Sequence, residues 1–274
     1  MREKRADLHL HTTCSDGELT PAQLVQKAAR RGLQLIAVTD HDTVDGFEEA
    51  TGTGARIGVT VISGVELSVH VDSREIHLLG YFFDPKHERL LQQLAQFREQ
   101  RSDRARSIVE RLNGVGIPLT FEAVLAQARG EALGRPHVAA ALESAGHVAD
   151  RQEAFQRFLG PAGAAYVPKP EFPARKALSL LHEAGGIGVL AHPGHWTPDA
   201  VVSTLVKEGL DGIETVHPSH QPWITAYYER LAERYGLVQT GGSDYHGSRP
   251  KDEENIGTFT ISLSQVETIR ARAA

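Results

Sequence analysis

Residues 6–17 read ADLHLHTTCSDG, a short apolar run that ends in two histidines and a polar turn. Residues i and i+2 of a strand point to the same face, so His9 and His11 can converge on one ion while Leu10 points into apolar packing. Asp16 follows in a turn-like loop, where its carboxylate can fold back over the end of the strand. The stretch therefore predicts a strand that delivers metal ligands to one end of a sheet.

Six further apolar runs carry polar or ionisable residues near an end. Each has the length of a strand, is rich in Val, Ile and Leu, and is bounded by Gly, Asp or Pro, which is typical of buried parallel strands. Helical patterns separate many of them, and in residues 20–32 Thr20 suits an N-cap, Pro21 the first helical position and Gly32 the end. This alternation predicts a parallel α/β fold. The six runs are LIAVTDH (35–41), VTVISGVEL (59–67), IHLLGYF (76–82), GIGVLAH (186–192), LDGIETV (210–216) and LVQTGGSD (237–244).

The stretch 86–170 breaks the alternation, because it contains no convincing strand pattern. It holds 12 Lys or Arg against 9 Asp or Glu, a net charge of +3, which leaves −9 for the rest of the chain. We therefore expect an all-α insertion that places a basic cap for an anionic substrate on an acidic metal-binding body. An ordinary solvated helical face is the alternative interpretation of the charge. The helical patterns lie near 86–113, 121–129, 136–145 and 150–158.

Nine ionisable residues of these runs are candidate metal ligands. His41 ends an apolar strand, where packing gives no reason for an imidazole, and Asp244 and His246 form a second i, i+2 pair. In a barrel of parallel strands the C-terminal strand ends open on one face, where active sites form. Nine nitrogen and oxygen ligands suit two or three divalent ions, and because no cysteine is among them Mn, Zn and Fe all fit, with Mn expected first. The nine candidates are His9, His11, Asp16, His41, Glu66, His77, His192, Asp244 and His246.

The composition bounds the remaining classes of protein. The 274 residues can bury the core of a large α/β barrel, and a net charge of −6 excludes a polycation built to coat nucleic acid. A single cysteine excludes an internal disulfide framework and suggests a reducing compartment. The N-terminus lacks the apolar segment of a secretory signal, and no apolar run approaches the roughly 20 residues that span a bilayer. We expect a cytoplasmic protein without a membrane or a stable nucleic-acid partner.

The motifs, in chain order, resemble the PHP family, the polymerase and histidinol phosphatase superfamily. They are DLHLHTTCSDG, VTDHDT, GVELS, the lone His77, LAHPG and GGSDYHG. The resemblance implies a distorted seven-stranded (β/α)7 TIM-like barrel formed by residues 1–85 and 171–274, with 86–170 as the all-α insertion. Some relatives have His where this chain has Asp16, and a carboxylate there can change the affinity or identity of an ion. The resemblance implies one metal held by His9, His11, Glu66 and Asp244, a second by Glu66, His77 and His192, and a third by Asp16, His41 and His246.

Three further motifs resemble a bacterial PHP subgroup that hydrolyses nucleoside 3′,5′-bisphosphates and trims short RNAs from the 5′ end. They are GRPHVA (134–139), YVPK (166–169) and VHPSH (216–220). Arg135 offers a planar fork for bidentate phosphate binding, and Lys169 offers a point charge. A surface or capping role is the alternative for each such residue. The expected substrate-binding residues are Arg135, His137, Lys169, His217 and His220.

Two more arginines of the insertion, Arg101 and Arg104, lie three positions apart on one predicted helix face. They can line the same phosphate pocket. The simpler interpretation, and the one we expect, is an exposed helix with salt bridges.

The expected reaction is hydrolysis, in which divalent ions activate a bridging water for direct attack on phosphorus without a protein nucleophile. Arg135 and Lys169 would stabilise the charge that grows in the transition state. The group that protonates the leaving oxygen stays open between His192, His217 and a metal-bound water. The predicted catalytic residues are His192, Asp244 and Arg135.

Three other functions compete with a nucleotide phosphoesterase. A phosphatase for a small monoester such as histidinol phosphate would not require the basic insertion. A regulatory domain that binds metal without catalysis is disfavoured by the complete ligand set. A proofreading exonuclease domain of a replicative polymerase would lie inside a much longer chain.

Overall fold

The computed structural model describes residues 5–273, and each of the seven predicted runs contains a strand. The strands are short and mostly buried, as their apolar composition predicts. They are β1 (Arg5–Asp7), β2 (Leu35–Ala37), β3 (Thr60–Ile62), β4 (Gly64–Val71), β5 (Arg74–Tyr81), β6 (Ile187–Leu190), β7 (Gly212–Val216), β8 (Val238–Gly241) and β9 (Ile261–Ser262).

Helices connect most of the strands, and α1 begins as the sequence predicts. The side chain of Thr20 accepts from the backbone N–H of Gln23, the side chain of Gln23 accepts from Thr20, and Pro21 occupies the first turn. Gly32, just past the helix end, has φ of 78°. A π-helical turn, Phe155–Leu159, continues α6. The helices are α1 (Pro21–Arg30), α2 (Phe47–Ile57), α3 (Glu88–Gly114), α4 (Phe121–Leu125), α5 (Arg135–Ser144), α6 (Arg151–Ala154), α7 (Ala174–Glu183), α8 (Asp199–Lys207), α9 (Pro222–Tyr235), α10 (Asp252–Asn255) and α11 (Leu263–Ala273).

The strands form two sheets, one of four strands in the order β3-β2-β1-β9 and one of five in the order β4-β5-β6-β7-β8. In the first sheet β1, β2 and β3 are parallel and β9 is antiparallel to β1. In the second sheet β6, β7 and β8 are parallel, whereas β5 runs antiparallel to both β4 and β6. The fold is therefore α/β with two mixed sheets.

The two sheets meet along two seams rather than in one continuous ladder. At the first seam the N–H of Leu8 donates to the carbonyl of Gly241 (3.1 Å), and Leu10 forms an isolated bridge to Tyr245. At the second seam His41 forms an isolated bridge to Glu66. Both seams lie beside the predicted ligands, so the two sheets bring their ligands to one place.

The predicted single barrel of seven parallel strands is not confirmed. The run 59–67 divides at Ser63, where β3 leaves one sheet and β4 enters the other. The hairpin between β4 and β5 turns through Asp72 and Ser73, both at positive φ, and this turn makes β5 antiparallel. The two-residue strand β9 is absent from the predicted runs.

The stretch 86–170 contains helices and no strand, as predicted, and α3 to α6 lie where the helical patterns do. These helices share an apolar cluster that includes Ile108, Leu112, Leu142 and Leu159. The division of the chain into a barrel of residues 1–85 and 171–274 and a cap of 86–170 stays a proposal. Within residues 5–273 no helix is both long and apolar enough to cross a membrane.

Candidate metal centre

Ionisable residues from both sheets meet at one end of the fold. The four-stranded sheet contributes residues that follow β1 and β2, and the five-stranded sheet contributes residues inside β4 and β5 and after β6 and β8. All nine predicted ligands are in this cluster, and each has a nitrogen–oxygen contact of 4.0 Å or less to another member. They are His9, His11, Asp16, His41, Glu66, His77, His192, Asp244 and His246.

His77 reaches the cluster although it does not follow the end of a strand. It lies in the N-terminal half of β5, opposite Ser68 on β4. Because β5 is antiparallel to its neighbours, its N-terminal half lies at the same edge as the C-terminal ends of the parallel strands. The pattern of parallel strands does not by itself explain why His77 lies in the cluster. The antiparallel hairpin explains it.

The carboxylate of Glu66 lies at the centre of the cluster and is almost wholly buried. Its two oxygens face different histidines, which is the arrangement of a carboxylate that bridges two ions. Oε2 is 3.3 Å from Nε2 of His9, 3.2 Å from Nε2 of His11 and 3.2 Å from Nδ1 of His41, while Oε1 is 2.7 Å from Nδ1 of His77 and 2.9 Å from Nε2 of His192.

Three subsets bring nitrogen and oxygen atoms within 4.8 Å of one another, as a shared ion requires. The first subset has the same members as the first metal set implied by the resemblance. In the second, His41 takes the place of His192, whose Nε2 is 2.9 Å from Oε1 of Glu66 but which is not a member of the subset. In the third, His11 joins the implied residues. The subsets are His9, His11, Glu66 and Asp244; His41, Glu66 and His77; and His11, Asp16, His41 and His246.

The donor atoms fit divalent cations. Both ring nitrogens of His11 are buried and lack a hydrogen-bond partner. Nε2 of His11 is nevertheless 3.2 Å from Oε2 of Glu66 and 3.3 Å from Oδ1 of Asp244. Such short distances without hydrogen-bond geometry are expected where lone pairs converge on a common point, since an orphaned buried polar group is otherwise costly. Imidazole nitrogen and carboxylate oxygen are the donors that Mn, Fe and Zn accept.

Within the cluster, histidines and carboxylates balance each other's charge. Burial opposes protonation of His9 and His11, but the surrounding carboxylates raise the pKa of His9 well above its usual value and that of His11 to about 9. Burial also opposes ionisation of Glu66 and Asp244, but the adjacent histidines, together with Arg249 beside Asp244, hold both carboxyl pKa values well below their usual range. A cation bound by His9 or His11 would therefore replace a proton on that ring.

Glu214 is a member of the site that sequence reasoning missed. It is fully buried in β7, where its Oε1 is 3.0 Å from Nδ1 of His9 and its Oε2 accepts from the backbone N–H of His192 at 2.7 Å. A carboxylate that holds the far nitrogen of a metal-binding histidine fixes the ring and its tautomer. The available signal was a lone Glu inside the apolar strand LDGIETV, because a buried carboxylate needs a specific partner.

Three site residues have strained backbones. Asp42, His192 and Asp244 have φ of 55°, 26° and 50°, although none is glycine. Such conformations cost about 1–3 kcal/mol each and persist where the surrounding contacts enforce them. At this site they turn the chain sharply after strand ends, so that the side chains point into the cluster.

Asp40 holds the loop that carries Asp16. Its buried carboxylate accepts from the backbone N–H of Thr12 (2.7 Å), the hydroxyl of Thr12 (2.6 Å) and the hydroxyl of Ser15 (2.5 Å). Gly17 completes the turn, because a Cβ there would lie 2.5 Å from the carbonyl oxygen of His11. The TTCSDG loop is therefore fixed over the end of β1.

Lys169 lies beside the cluster and is mostly buried. It contacts the hydroxyl of Ser68 and, at 3.1 Å, the carboxylate of Glu75. Burial and the guanidinium of Arg101 lower the pKa of Lys169 to about 8, and although burial opposes ionisation of Glu75, Lys169 lowers the pKa of that carboxyl to about 2. The pair is therefore ionic at neutral pH.

Arg101 and Arg104 are not on an exposed helix face, and that expectation is wrong. Nε of Arg101 donates to Oδ2 of Asp42 at 2.6 Å, and Nε of Arg104 donates to the carbonyl of Val167 at 2.8 Å. Both are almost buried, and each keeps one buried Nη2 atom without a partner. With Lys169 they line a small cavity next to the metal cluster.

Arg135 and His137 both lie in the first turn of α5, but they make different hydrogen bonds. Arg135 donates to the carbonyl of Leu159 at 3.3 Å and lines a cavity shared with His77 and His192. Nδ1 of His137 accepts from the backbone N–H of Gly134, which caps α5. Nδ1 of His137 therefore already has a hydrogen-bond partner within the protein.

His217 has one ring nitrogen without a hydrogen-bond partner, whereas both ring nitrogens of His220 are hydrogen-bonded. Nδ1 of His217 accepts from the backbone N–H of Ser219 at 3.1 Å, so the neutral ring carries its proton on Nε2, which is buried, lacks a partner and lies 3.5 Å from Oδ2 of Asp244. His220 donates from Nδ1 to the carbonyl of Thr215 and accepts at Nε2 from the N–H of Gly194. Both nitrogens of His220 thus have partners within the protein, and its predicted contact with substrate stays a prediction.

A second missed residue is Arg249. Its Nη1 donates to Oδ2 of Asp244 at 2.6 Å, and its Nη2 is 3.2 Å from Nε2 of His246. The side chain is half exposed. Arg249 therefore neutralises ligand carboxylate from the solvent side, and no apolar context in the sequence singles it out.

Comparisons with known proteins identify the family of the chain. A family model described as the PHP domain matches residues 7–182. The chain belongs to the PHP domain family.

Three relatives of this PHP domain over most of its length are enzymes that act on phosphoric esters. It is 34% identical to a 5′-3′ exoribonuclease of Haemophilus influenzae, over 89% of the chain and 90% of that protein. It is 34% identical to a 3′,5′-nucleoside bisphosphate phosphatase of Chromobacterium violaceum, over 88% and 86%. It is 36% identical to a phosphoribosyl 1,2-cyclic phosphate 1,2-diphosphodiesterase of Eggerthella lenta, over 88% and 94%.

A solved structure from Bifidobacterium adolescentis, provisionally described as a metal-dependent phosphoesterase, superposes with a TM-score of 0.90. It is 33% identical and covers 98% of this chain and 96% of its own. This PHP domain is a metal-dependent phosphoesterase, a hydrolase of phosphoric esters. The prediction of an enzyme is confirmed, and the interpretation as a non-catalytic domain is wrong.

Proposed function

We propose that this PHP domain removes a phosphate from nucleoside 3′,5′-bisphosphates and trims short RNA oligonucleotides from the 5′ end. The observation that carries the proposal is a group of buried cations beside the metal ligands. A substrate with two phosphates requires two sites for negative charge, one at the metals and one at a neighbouring cationic cluster. A small nucleotide substrate also accords with the cytoplasmic location expected from the sequence.

The cations contact residues that adjoin ligands along the chain. Arg101 binds Asp42, which follows the ligand His41. Lys169 contacts Ser68 and Glu75, which lie two positions from Glu66 and His77. A phosphate held by these cations is therefore a short distance from a phosphate held by the ligands.

The cationic cluster has more positive charge than the protein itself neutralises. Arg101, Arg104 and Lys169 face two carboxylates, Asp42 and Glu75. The buried Nη2 atoms of both arginines lack acceptors, and a desolvated guanidinium without an acceptor is costly. A phosphate provides the missing acceptors in the planar geometry that arginine prefers.

We propose two or three divalent ions, with Mn first and Zn or Fe as alternatives, held by the three subsets of ligands described above. Bound there, such ions supply Lewis-acid polarisation of the phosphoryl group and an activated water. The protein itself orients the ligands through Glu214 and Asp40 and offers Arg135 in the cavity that His77 and His192 also line. Arg135 is placed to bind an oxygen of the phosphate and stabilise charge in the transition state.

His217 is placed to donate a hydrogen bond to the leaving oxygen, but the proton itself would come from a metal-bound water, because the His217 ring that accepts from Ser219 at Nδ1 is a neutral imidazole. Its Nε2–H faces the cluster and has no acceptor, while Ser219 fixes the opposite nitrogen. His192 is less suited to this role, because its Nε2 is 2.9 Å from Glu66 and its backbone is held by Glu214. Asp244 and His192 accordingly act as ligands in the proposed mechanism.

The test compares adenosine 3′,5′-bisphosphate with histidinol phosphate and phosphoribosyl 1,2-cyclic phosphate in the presence of Mn²⁺. We expect the bisphosphate to have the highest kcat/KM. Lys169→Ala should lower kcat/KM for the bisphosphate about 10- to 100-fold, because a charge-assisted hydrogen bond is lost. Lys176→Ala, which removes an exposed lysine of α7, is the matched control and should leave kcat/KM unchanged.

Two results would contradict the proposal. One is a higher kcat/KM for histidinol phosphate or the cyclic ester than for the bisphosphate. The other is a Lys169→Ala enzyme whose kcat/KM falls equally for a bisphosphate and a simple monoester. This result would show that Lys169 does not bind a second phosphate.

A further inference from the structure

Trp196 is an unusual residue for the rim of a charged site, because half of its surface is exposed. It follows the LAHPG motif by two residues, on the loop between β6 and α8. Exposing a large indole forgoes the free energy of its burial, which is on the order of 2–3 kcal/mol for a large apolar side chain. Because Trp196 lies beside the metal centre, the exposed face of its indole is available to a bound substrate.

Trp196 lines the same cavity as the metal cluster. The cavity has a volume of about 260 Å³, and its walls include His77 and His192 on the ligand side and Arg135 on the insertion side. This volume is close to the lower end of small-molecule sites. The indole, two predicted ligands and a phosphate-binding guanidinium therefore face one space of the size of a nucleotide fragment.

The loop beneath the indole is fixed by buried side chains. The N–H of Gly194 donates to Nε2 of His220 at 3.0 Å, and the hydroxyl of Tyr228 donates to the carbonyl of Gly194 at 2.8 Å. The rings of His220 and Tyr228 stack on each other, with centroids 5.6 Å apart. This explains what His220 does, since both of its nitrogens serve the loop.

The indole rests directly on that fixed loop. A Cβ on Gly194 would lie 2.4–2.6 Å from three atoms of the Trp196 ring, so the absence of a side chain at Gly194 is what allows the contact. The ring of His195 packs against the indole edge-on, with centroids 5.1 Å apart. One side of the ring system is thus held while the other stays exposed beside the cavity, and few rotamers remain to be lost on binding.

We infer that Trp196 is a stacking platform for a nucleobase of the substrate, with the phosphate of the same nucleotide at the metal cluster. The inference rests on the proposed function and deepens it. Base-on-aromatic stacking tolerates any base, because every base has a π face. The site therefore selects nucleotides over base-free phosphoesters without reading sequence, which suits an enzyme that removes successive 5′ nucleotides.

Fluorescence provides a direct test, because the chain has only two tryptophans. The other one, Trp223, is 60% exposed at the start of α9 and is not among the residues that line this cavity. Trp223→Phe therefore leaves Trp196 as the single indole. We expect saturable quenching of its emission by AMP and little quenching by ribose 5-phosphate at equal occupancy, with Zn²⁺ present and the occupancy of each ligand measured by isothermal titration calorimetry. Equal quenching by both ligands would overturn the inference.

Kinetics supply the second arm. Trp196→Ala should lower the ratio of kcat/KM for adenosine 3′,5′-bisphosphate to kcat/KM for ribose 5-phosphate about 5- to 150-fold, the loss that removal of one base-stacking aromatic produces. Trp196→Phe should restore most of this ratio, and Trp223→Ala should leave it unchanged.

The outcomes separate this inference from the proposed function. An unchanged ratio in Trp196→Ala, in an enzyme that still hydrolyses the bisphosphate, overturns stacking and leaves the proposed function intact. If the parent enzyme does not hydrolyse the bisphosphate, the proposed function fails, and the quenching by AMP alone still decides whether Trp196 stacks on a base.

Discussion

At the scale of single residues, the buried carboxylate of Glu214 shows how this site is made rigid. It contacts no substrate cavity directly, yet it holds His9 through the ring and His192 through the backbone. Both partners belong to the ligand cluster, one on each side of Glu66. A residue one step behind the ligands therefore sets the geometry of two of them.

Substitution of Glu214 should weaken metal binding more than folding. We expect Glu214→Gln to lower the affinity for Mn²⁺ about 10- to 100-fold, because the amide keeps the shape but loses the charge that orients His9. Metal content after dialysis and the metal concentration for half-maximal activity measure the effect. Excess metal should restore much of the activity. A variant with unchanged metal affinity would assign Glu214 a packing role only.

The backbone conformation of the three strained residues could not be predicted from local sequence preferences. Asp42, His192 and Asp244 adopt positive φ at the points where the chain leaves or follows a strand. Their side chains, and not their backbone preferences, are what the site requires. Sequence propensity alone assigns no turn of this kind to a histidine, so local geometry here could not be predicted.

At the scale of elements, α7 packs against the second sheet through glycines. A Cβ on Gly188 of β6 would lie 2.3 Å from Cδ2 of Leu178, and a Cβ on Gly80 of β5 would lie 2.4 Å from Cδ2 of Leu181. Both leucines are fully buried in the largest apolar cluster. The glycines therefore set how close the helix lies to the sheet.

Gly188→Ala should destabilise the protein by about 1–3 kcal/mol, the usual cost of overpacking a filled core. Urea unfolding measures it. Gly114→Ala, at the end of α3, is the control, because a Cβ there meets nothing within 4 Å and the helix gains from the loss of glycine flexibility. A stability loss at Gly114 equal to that at Gly188 would contradict the packing argument.

The C-terminal end of α7 provides a pH-dependent contact. Nε2 of His182 is 2.7 Å from Oδ2 of Asp211, and this contact, opposed by burial, raises the pKa of His182. A raised pKa in the folded state means that the stabilisation is complete below pH 6.5 and is lost as the pH rises through the folded pKa.

We therefore expect His182→Gln to reduce the free energy of unfolding at pH 5.5 by about 0.2–1 kcal/mol, since the pair is partly exposed and screened. At pH 9 the same substitution should have almost no effect. Urea titrations at the two pH values measure the difference. The same loss at both pH values would show that the ring acts by packing and not by charge.

Some features of the helices and strands could be predicted from the sequence, and others could not. The gathering of the nine residues could be predicted because histidines and carboxylates at the ends of apolar runs have no packing function, and their role as ligands stays a prediction. The division of VTVISGVEL at Ser63 could not, because the run is apolar throughout and its periodicity does not register a change of sheet. The burial of Arg101 and Arg104 depends on Asp42 and Val167, which are distant in sequence, so the helix pattern alone favours an exposed face.

At the scale of the whole molecule, the ligands connect the two sheets. His9, His11 and His41 come from the first sheet, whereas Glu66, His77 and Asp244 come from the second or follow it. Between the sheets the backbone hydrogen bonds lie at the two seams, and side chains such as Tyr81, which donates to the carbonyl of Leu8 at 2.8 Å, add contacts between them. Ions shared by both groups of ligands would therefore stabilise the association of the sheets.

Removal of metal should lower both activity and stability. Ligand binding at 100 times Kd stabilises a protein by about 2.7 kcal/mol, and for a chain of this size that corresponds to roughly 5–10 °C in Tm. Calorimetry before and after chelation measures the shift. Asp244→Ala should show almost no shift, because the cluster has lost a shared carboxylate. Near-normal turnover in stripped protein would contradict a metal-dependent mechanism.

The seam at β1 and β8 has a consequence for how the protein is made. The backbone N–H of Ser243 donates to Asp7 across 236 positions of sequence, and Asp244 follows immediately. A chain that emerges from the ribosome N-terminus first therefore displays His9 and His11 long before their carboxylate partner has been synthesised. The two ligand subsets that contain Asp244 or His246 can be completed only after that residue has been released, so the apolar layers must first bring these distant segments together, whereas His41, Glu66 and His77 are all available much earlier.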